Sequence, residues 1–547
     1  MRSLRTTQIS PAEWRWVLIV GGVLASLTIL PYVWALASNA SATQWQFMGV
    51  LANPQDGATY LAKIGQGIRG AWLLHFAHTP EPHSGAAIQV FYLLLGHLAR
   101  LTGISSIIIF HVARVATTLF MFIALYQFGA TVWSRLRPRR LFFGLVSVGS
   151  GLGWLVLVLD PAARNVPDVT VPEAYPLYSA YANPHFPLAI GCLALLATIY
   201  VSVFRIDFKE APTVANGGLG IVVLTLVMAF VLPQAMIPFG VTLLVYLVVR
   251  GLRDRALPVR ETQWVLLFAL PAALMAAYYY AVVSYNPVMD AVWNGQVLAE
   301  SASPLLVILA YGLILFIAIP GLLRAIRHFE EDGDQLMLIW LLVNFSLVFL
   351  PFNQQRRMMT GLIIPVTFFA VRSLEDYWLP RITSRWRPAL QVLLFALVLP
   401  SNVLALGVPL FGLINPEAGL DQRLLVEHGY WDAMRWLATT GKPDDVVLSA
   451  PNVGLWIPAW GEKRVVYGHP WETLDAETKK AQVEQWYQGQ GCEELLEMYH
   501  VRYVIVGPQE LALGAGQPGA DACYADLGER SARAVSFSDV TVYELAD

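Results

Sequence analysis

The segment Asn53-Pro54-Gln55-Asp56-Gly57-Ala58-Thr59-Tyr60 contains the residue of this chain that is best suited to catalysis. It places the carboxylate of Asp56 shortly after the first long apolar run. A carboxylate at the mouth of a membrane bundle is costly to keep unless it reacts or binds something. Asp56 is therefore the first candidate for a general base. A structural alternative stays open, because Asp is a favoured N-cap and could cap a helix that starts at Gly57.

The loop around Asp56 carries further side chains that could bind a substrate. We expect a first outer loop over residues 37–85, and a loop of this length is more often functional than not. Its substrate-binding candidates are polar or charged residues: Tyr60, Lys63, Glu81 and His83. The loop also holds three of the ten histidines of the chain: His75, His78 and His83. Their loose spacing makes a metal site the weaker interpretation of these rings.

A second group of candidates follows much later in the chain. The predicted second outer loop, residues 160–184, ends in Asn-Pro and places His185 at the mouth of the next span. Arg356 and Arg357 fall on the outer side, against the usual bias of basic residues toward inner loops. Guanidinium groups there need an anionic partner, and phosphate matches their bidentate donors. Lipid headgroups or an acidic outer domain are alternative partners, and His185 could be purely structural.

These candidates must be positioned by membrane-spanning helices, because the composition is that of an integral membrane protein. The 547 residues are 56% hydrophobic and 14% charged, whereas soluble domains are roughly 25% charged. About eleven apolar runs approach the roughly 20 residues that cross a bilayer. They are residues 14–36, 105–133, 141–159, 186–204, 217–231, 237–249, 264–285, 304–323, 336–351, 359–371 and 389–411. A shorter run, 86–101, is predicted to lie at the outer surface.

Basic clusters predict the orientation, since Lys and Arg near span ends stay cytoplasmic. The clusters are Arg2 and Arg5; Arg135, Arg137, Arg139 and Arg140; Arg205 and Lys209; Arg250, Arg253, Arg255 and Arg260; Arg324 and Arg327; Arg372, Arg381, Arg385 and Arg387. They place the N-terminus inside and the C-terminus outside. Because this bias reflects topology, we expect no nucleic-acid partner.

The apolar runs cease near residue 414, which divides the chain into two predicted domains. Residues 1–414 form the transmembrane domain, and residues 415–547 form a small extracytoplasmic α/β domain. The second domain holds 10 Lys and Arg against 21 Asp and Glu, and this acidic balance suits a solvated outer domain. Strand patterns at 445–449, 464–467 and 502–506 alternate with helical patterns, which predicts a mostly parallel sheet. Whether Cys492 and Cys523 are bridged stays open.

The first outer loop opens with Pro-x-Asp-x-x-x-Tyr, formed by Pro54, Asp56 and Tyr60. With one span before it, many spans after it and an outer α/β tail, the chain resembles the GT-C superfamily of polyprenyl-phosphate-dependent glycosyltransferases. The ArnT-like, protein-mannosyltransferase-like and Rgt-like branches are the most similar. The resemblance implies that Asp56 is the catalytic or metal-associated carboxylate. The tail segment 467–473 is also similar to tails of relatives, which implies that His469 and Trp471 cover the site.

The resemblance implies a membrane glycosyltransferase of the cell envelope. It would transfer a hexose or pentose from a polyprenyl-phosphate donor to a glycan, lipid or protein acceptor at the outer face, with the bacterial plasma membrane as the expected location. Asp56 would be the general base of an inverting displacement. Arg356 and Arg357 would stabilise the phosphate leaving group, assisted by Lys63 or His185.

The second outer loop departs from the family pattern, and this bears on cofactors. Many relatives carry a second acidic residue there, whereas this chain offers Asn183 and His185. We therefore expect no obligatory metal or other cofactor, although a bound divalent ion is left open. Three alternatives to simple sugar transfer remain: an oligosaccharyl or lipid-linked glycan transferase, a polyprenyl-lipid transporter without a general base, and a non-catalytic scaffold or receptor.

Overall fold

The structure is a computed structural model that describes residues 9–39, 44–161, 163, 165–204, 214–296, 299–330, 333–517, 519–525 and 527–546. Four of the basic residues used to predict the orientation, Arg2, Arg5, Arg205 and Lys209, lie outside these ranges. Helices dominate the described part, as the apolar runs predict.

The α-helices are numbered in chain order. They are α1 Pro11–Asn39, α2 Pro54–Ile68, α3 Val90–Thr102, α4 Ser106–Val132, α5 Leu136–Val148, α6 Gly153–Leu159, α7 Pro167–Thr170, α8 Pro176–Ala182, α9 His185–Phe204, α10 Val214–Val231, α11 Met236–Asp254, α12 Val259–Ser284, α13 Pro287–Asp290, α14 Pro304–His328, α15 Asp334–Leu347, α16 Ile363–Ser373, α17 Leu379–Arg381, α18 Arg387–Val398, α19 Pro400–Ile414, α20 Pro416–Asp421, α21 His428–Thr439, α22 Pro451–Trp460, α23 Ala476–Tyr487, α24 Cys492–Met498, α25 Pro508–Gly514, α26 Ala522–Ala525 and α27 Leu527–Arg530.

Strands and short turns complete the described secondary structure. The strands are β1 Trp45–Phe47, β2 Leu425–Glu427, β3 Val446–Leu448, β4 Arg464–Val465, β5 Val501–Val506, β6 Ser531–Phe537 and β7 Val540–Leu545. Short 3-10 or π turns lie at Pro172–Ala174, Pro233–Ala235, Ala291–Gln296, Gln355–Met359, Leu374–Trp378 and Ser384–Trp386.

Nine helical segments in the described part of the chain are long and apolar enough to cross a membrane. They are Pro11–Ser38, Ser106–Val132, Leu136–Leu159, His185–Phe204, Pro233–Asp254, Val259–Ser284, Pro304–His328, Gln355–Arg381 and Ser384–Ile414. The shorter apolar helices Gly217–Val231 and Asp334–Leu347 match two further predicted runs. The many-span helical class is therefore confirmed, while the number and direction of the crossings stay predictions. The predicted surface run is the short helix α3.

The C-terminal sheet is mixed, and this corrects the prediction of a mostly parallel sheet. Its order is β4-β3-β5-β7-β6. The three predicted strands β3, β4 and β5 pair in parallel, whereas β7 pairs antiparallel with both β5 and β6. The β6–β7 hairpin was missed because its first strand is largely solvated and carries a weak apolar pattern. Ser538 allows the tight connection by adopting a positive φ of 56°.

The chain forms two compact units. The first comprises Met1–Leu30, His111–Tyr278 and Leu298–Val408, and the second comprises Pro31–Phe110, Tyr279–Val297 and Pro409–Asp547. The predicted domain boundary at residue 414 stays a prediction.

Within the second unit, the first outer loop packs on the C-terminal elements. Strand β1 pairs antiparallel with β2, and α2 lies against α3 and α22. The approach of α2 to α3 requires glycine, because a Cβ on Gly96 would lie 2.2 Å from the carbonyl oxygen of Ile64. The predicted site residues of the loop are therefore held by elements from both ends of the sequence.

Candidate functional site

Asp56 lies in the first turn of α2, and the local sequence explains why the helix begins before it. Asn53 takes the left-handed conformation at the N-cap with a φ of 52°, and Pro54 occupies the first turn, where its missing N–H costs nothing. Asp56 is thus inside the helix, so the alternative that it caps a helix from Gly57 is wrong. The half-buried carboxylate lies near the positive end of the helix dipole, which favours its ionised form.

Tyr60 and Lys63 share a helical face with Asp56, because residues four and seven positions apart lie on one side of a helix. The Tyr60 ring is buried and stacks on Tyr92 of α3, with centroids 4.2 Å apart and an interplanar angle of 8°. The Lys63 ammonium lies 5.3 Å from the centroid of the Tyr60 ring. Burial raises the pKa of the Tyr92 hydroxyl, and the charges of Tyr60 and Asp56 act in the same direction. The aromatic pair therefore forms an apolar wall beside the carboxylate.

Lys63 is a buried cation whose three protons are all directed at oxygen acceptors. Its side chain is 2% exposed. Its Nζ lies 2.6 Å from Glu472 Oε1, 2.6 Å from Gln89 Oε1 and 3.4 Å from Thr59 Oγ1. An ammonium group has three donors and no acceptor. Lys63 therefore acts as a fixed positive charge on the face of α2.

Glu472 is the carboxylate that balances this charge. Burial raises the pKa of Glu472, but the Lys63 ammonium and the neighbouring His78 ring outweigh burial and hold that pKa well below its usual range. His78 Nδ1 lies 3.7 Å from Glu472 Oε2. The other ring nitrogen, Nε2, is 3.0 Å from the carbonyl oxygen of Leu455 and donates to it. Glu472 is thus ionised and held from two sides.

His469 organises the turn that carries Glu472. Its Nδ1 accepts the backbone N–H groups of Trp471 and Glu472, each at 3.1 Å. Burial lowers the pKa of His469 to about 3, so the ring is neutral and carries its proton on Nε2. This Nε2 is buried and has no hydrogen-bond partner among the described residues. Trp471 beside it is 41% exposed, and the predicted covering role of both residues remains a prediction.

Glu81 and His83 hold the first outer loop in shape. Glu81 accepts hydrogen bonds from Lys479 and Thr79. His83 Nε2 accepts the backbone N–H of Phe76 at 2.9 Å, and its Nδ1 is 2.9 Å from the carbonyl oxygen of Glu81. Burial lowers the pKa of His83. These contacts occupy both side chains, and their predicted substrate-binding role is untested.

The three loop histidines do not meet at one point. The His75 and His83 rings are 5.7 Å apart, whereas His78 lies against His469 with a ring separation of 5.6 Å. In the part of the chain that the structure describes, no group of three or more His, Cys, Asp or Glu residues is arranged to hold a metal ion. The structure therefore separates His78 from the other two rings, and the expected absence of a metal stays a prediction.

The remaining candidates lie in the first unit. His185 begins α9, is 4% exposed and packs against Phe186 with ring centroids 4.0 Å apart. Arg357 pairs with Glu173 of the second outer loop, with Nη1 at 3.3 Å from Oε1. The backbone N–H of Arg356 donates to the carbonyl oxygen of Ala299, and its buried Nε has no partner among the described residues. Arg357 thus has a protein carboxylate as its partner, in addition to any ligand.

Sequence reasoning missed Glu472, Gln89 and Glu173 as partners of the candidate cations. Glu472 follows Trp471 in the tail segment 467–473, so the sequence pointed to its neighbourhood but not to its partner. Its partner Lys63 lies 409 positions away, and no local pattern connects two such residues.

Comparisons with known proteins bear on the fold. No protein-family model and no curated protein matches the sequence. Several solved structures are similar, and three of them illustrate the likeness. Arabinofuranosyltransferase AftD from Mycobacteria is 13% identical to this chain, with a TM-score of 0.54. The match covers 100% of this chain and 41% of the AftD chain. Oligosaccharyltransferase AglB from Archaeoglobus fulgidus, in complex with an inhibitory peptide and a dolichol-phosphate, is 12% identical, with a TM-score of 0.50. The match covers 98% of this chain and 75% of the AglB chain.

The third similar structure is ArnT from Cupriavidus metallidurans bound to undecaprenyl phosphate. It is 12% identical with a TM-score of 0.48, and the match covers 98% of both chains. The likeness to AftD and AglB shows a shared fold. This agrees with the fold that the resemblance of the sequence implies.

Proposed function

We propose that this chain transfers a sugar from a polyprenyl-phosphate donor to an acceptor at the extracytoplasmic face of a cell membrane. The observation that carries the proposal is the half-buried carboxylate of Asp56 on the same helix face as the fixed cation Lys63. Lys63 is held by Glu472, Gln89 and Thr59, which fixes the orientation of the α2 face that carries Asp56. The dolichol-phosphate bound to AglB, which shares the fold, supports a lipid phosphate as donor.

The chemistry follows from the acid–base character of these groups. Asp56 accepts the proton of the acceptor hydroxyl while that oxygen forms a bond to the anomeric carbon. The bond from the anomeric carbon to the phosphate oxygen breaks, and its electron pair leaves with the polyprenyl phosphate. Lys63 is balanced by Glu472, so its role is to fix the face of α2 that carries Asp56, while Arg356 and Arg357 stabilise the developing phosphate charge. A single displacement inverts the anomeric centre.

The roles of the other candidates are part of the same proposal. Arg356 and Arg357 bind donor phosphate, and the unpartnered Nε of Arg356 supports an anionic ligand there. His185 assists as a polar group. The proposed displacement does not require a metal. The bacterial plasma membrane is the proposed location. The hexose or pentose and the acceptor are identified only by experiment.

The decisive experiment measures release of polyprenyl phosphate from a panel of polyprenyl-phosphate hexoses and pentoses by mass spectrometry, using the purified protein in detergent. Asp56→Asn is expected to lower the rate by about 10²- to 10⁴-fold while leaving polyprenyl-phosphate binding intact. Asp290→Asn is the matched control, because Asp290 is exposed and its carboxylate contacts Asn294. A rate equal to wild type in Asp56→Asn would remove Asp56 from the mechanism.

A second candidate function is oligosaccharyl or lipid-linked glycan transfer, favoured by the likeness to the oligosaccharyltransferase AglB. It predicts that wild type leaves single-sugar donors intact but discharges a lipid-linked oligosaccharide. A transporter predicts something different again, since lipid flux in liposomes would then survive Asp56→Asn unchanged.

A further inference from the structure

A cavity of 490 Å³ opens in the first unit where the ends of several apolar helices meet. Six ionisable side chains line it: Arg135, Arg137, Arg372, Arg387, Glu375 and Asp376. Four guanidinium groups against two carboxylates leave a formal charge of plus two. All four arginines belong to clusters that the sequence predicts to be cytoplasmic. None of the residues around Asp56 takes part in this cavity.

Two of the four arginines lie beside carboxylates. Arg137 makes a bidentate pair with Glu375, with Nε at 2.8 Å and Nη2 at 2.6 Å from the two carboxylate oxygens. Arg372 Nε lies 3.4 Å from Asp334 Oδ1. These pairs fix the walls of the cavity, and Asp334 is shared between Arg372 and Arg324.

The other two arginines, Arg135 and Arg387, keep their charge available. No carboxylate in the described part of the chain forms an ion pair with either of them, and the Nε of Arg387 donates to the carbonyl oxygen of Ile382 at 3.1 Å. Guanidinium groups that line a cavity and form no ion pair with a carboxylate suit a phosphate oxygen, which they bind by charge-assisted hydrogen bonds.

A neighbouring cavity shows the contrast. It measures 310 Å³ and is lined in part by Glu13, Arg139 and Arg140. Arg139 Nη1 lies 2.7 Å from Glu13 Oε1 and its Nε lies 2.7 Å from the carbonyl oxygen of Trp133. The Arg140 guanidinium stacks over the Trp16 ring. Arg139 is paired with a carboxylate, whereas Arg135 and Arg387 form no ion pair among the described residues, so the larger cavity is the better anion site.

The position of the larger cavity favours a membrane lipid over a soluble phosphate. Its lining comes from the ends of four candidate spans: Ser106–Val132, Leu136–Leu159, Gln355–Arg381 and Ser384–Ile414. Trp133 lines the cavity, and the neighbouring Trp386 is 57% exposed. Tryptophan is enriched at membrane–water interfaces. Val132, Leu379 and Pro380 add an apolar wall. A phosphate here would lie where headgroup and acyl chain meet.

We propose that this cavity binds the headgroup phosphate of an anionic membrane lipid, with Arg135 and Arg387 as its main contacts. Basic pockets between transmembrane helices on the cytoplasmic side are suited to such headgroups. The site is separate from sugar transfer, so it does not depend on the proposed function.

Native mass spectrometry of the full-length protein in detergent tests the proposal. Dioleoyl phosphatidylglycerol, dioleoyl phosphatidylcholine and glycerol phosphate are added in parallel. Wild type is expected to retain the anionic lipid at least about tenfold better than the zwitterionic one. The double variant Arg135→Gln/Arg387→Gln should lose that preference. Arg385→Gln is the matched control, since Arg385 is an exposed arginine of the same region that lies outside the cavity lining.

Charge-preserving variants guard against a folding artefact. Arg135→Lys/Arg387→Lys should keep the lipid preference within about threefold, because the cations remain. If the double Gln variant does not fold, the exposed Arg135→Gln alone should weaken retention by at least about threefold. Unchanged retention in the folded Gln variants would overturn the proposal. Competition by glycerol phosphate as effective as by the lipid would overturn it too, in favour of a soluble anion.

Discussion

The Lys63 ammonium of α2 lies 2.6 Å from the Glu472 carboxylate, although 409 residues separate them in the chain. Lys63 is 2% exposed and Glu472 is 14% exposed, so water contributes little to the solvation of either charge. Buried charges persist only when each supplies the other with a partner. The pair therefore ties the helix that carries Asp56 to the C-terminal segment.

Replacing Glu472 by Gln should destabilise the protein strongly. The substitution leaves the Lys63 ammonium buried without its counter-charge, and breaking one half of a buried pair costs about 3–5 kcal/mol. We expect a clear fall in the melting temperature, which is measured by tryptophan fluorescence of the protein in detergent.

Glu462→Gln is the matched control for that experiment. Glu462 pairs with Arg69 at 2.7 Å, but the two side chains are 32% and 29% exposed. A solvent-screened pair contributes about 0–1 kcal/mol, so its loss should shift the melting temperature little. Equal shifts for Glu472→Gln and Glu462→Gln would show that Lys63 does not depend on Glu472.

His469 should make the protein less stable in mild acid. Its pKa in the folded protein is about 3, below the ordinary value of 6.5, because the ring is buried. Between pH 3 and pH 6.5 the ring binds a proton in the unfolded chain but stays neutral in the folded protein. Stability from this group is therefore complete above pH 6.5 and is lost as the pH falls toward 3, by at most about 1.4 kcal/mol per pH unit.

The variant His469→Gln separates this contribution from others. Gln keeps an acceptor for the turn but does not titrate, so the melting temperature should fall less steeply from pH 6.5 to 4 than in wild type. Some slope remains, since burial also lowers the pKa of His75 and His83. Parallel curves for the variant and wild type would contradict the assignment.

Glu510 should act in the opposite direction. Burial raises its pKa to about 7. Hydrogen bonds from the Tyr430 hydroxyl and the Ala450 N–H lower the pKa, but burial outweighs them. The folded protein thus binds a proton that the unfolded chain has lost above pH 4.5. The stability from Glu510 is complete below pH 4.5 and is lost as the pH rises through 7. Glu510→Gln should gain stability relative to wild type between pH 5 and 8, measured by melting temperature, and a constant difference would argue against it.

The cysteines of the C-terminal region should be bridged in the mature protein. The structure joins Cys492 to Cys523 across a separation of 31 residues and leaves Cys192 as a free, buried thiol. Such a bridge forms outside the cytoplasm. Thiol titration of the denatured, unreduced protein should find only the Cys192 thiol. Cys523→Ala should lower the free energy of unfolding by about 2–4 kcal/mol. Three titratable thiols would indicate a reducing compartment and contradict the predicted outward C-terminus.

Much of the architecture was predictable because apolar burial leaves a local trace in the sequence. The spans appear as apolar runs, and β3, β4 and β5 appear as short β-branched segments between turns. Asp56 and Tyr60 were recognisable by their spacing after the first span. The solvated strand β6 left a weaker trace, and the hairpin that makes the sheet mixed was missed.

The partners of the charged residues were decided only by the tertiary structure. Nothing near Lys63 in the sequence points to Glu472, and nothing near Arg357 points to Glu173. Hydropathy acts on each segment by itself, so a linear pattern records it. An ion pair forms between whichever groups the folded chain brings within a few ångströms, and that distance exists only after the helices, loops and sheet have packed.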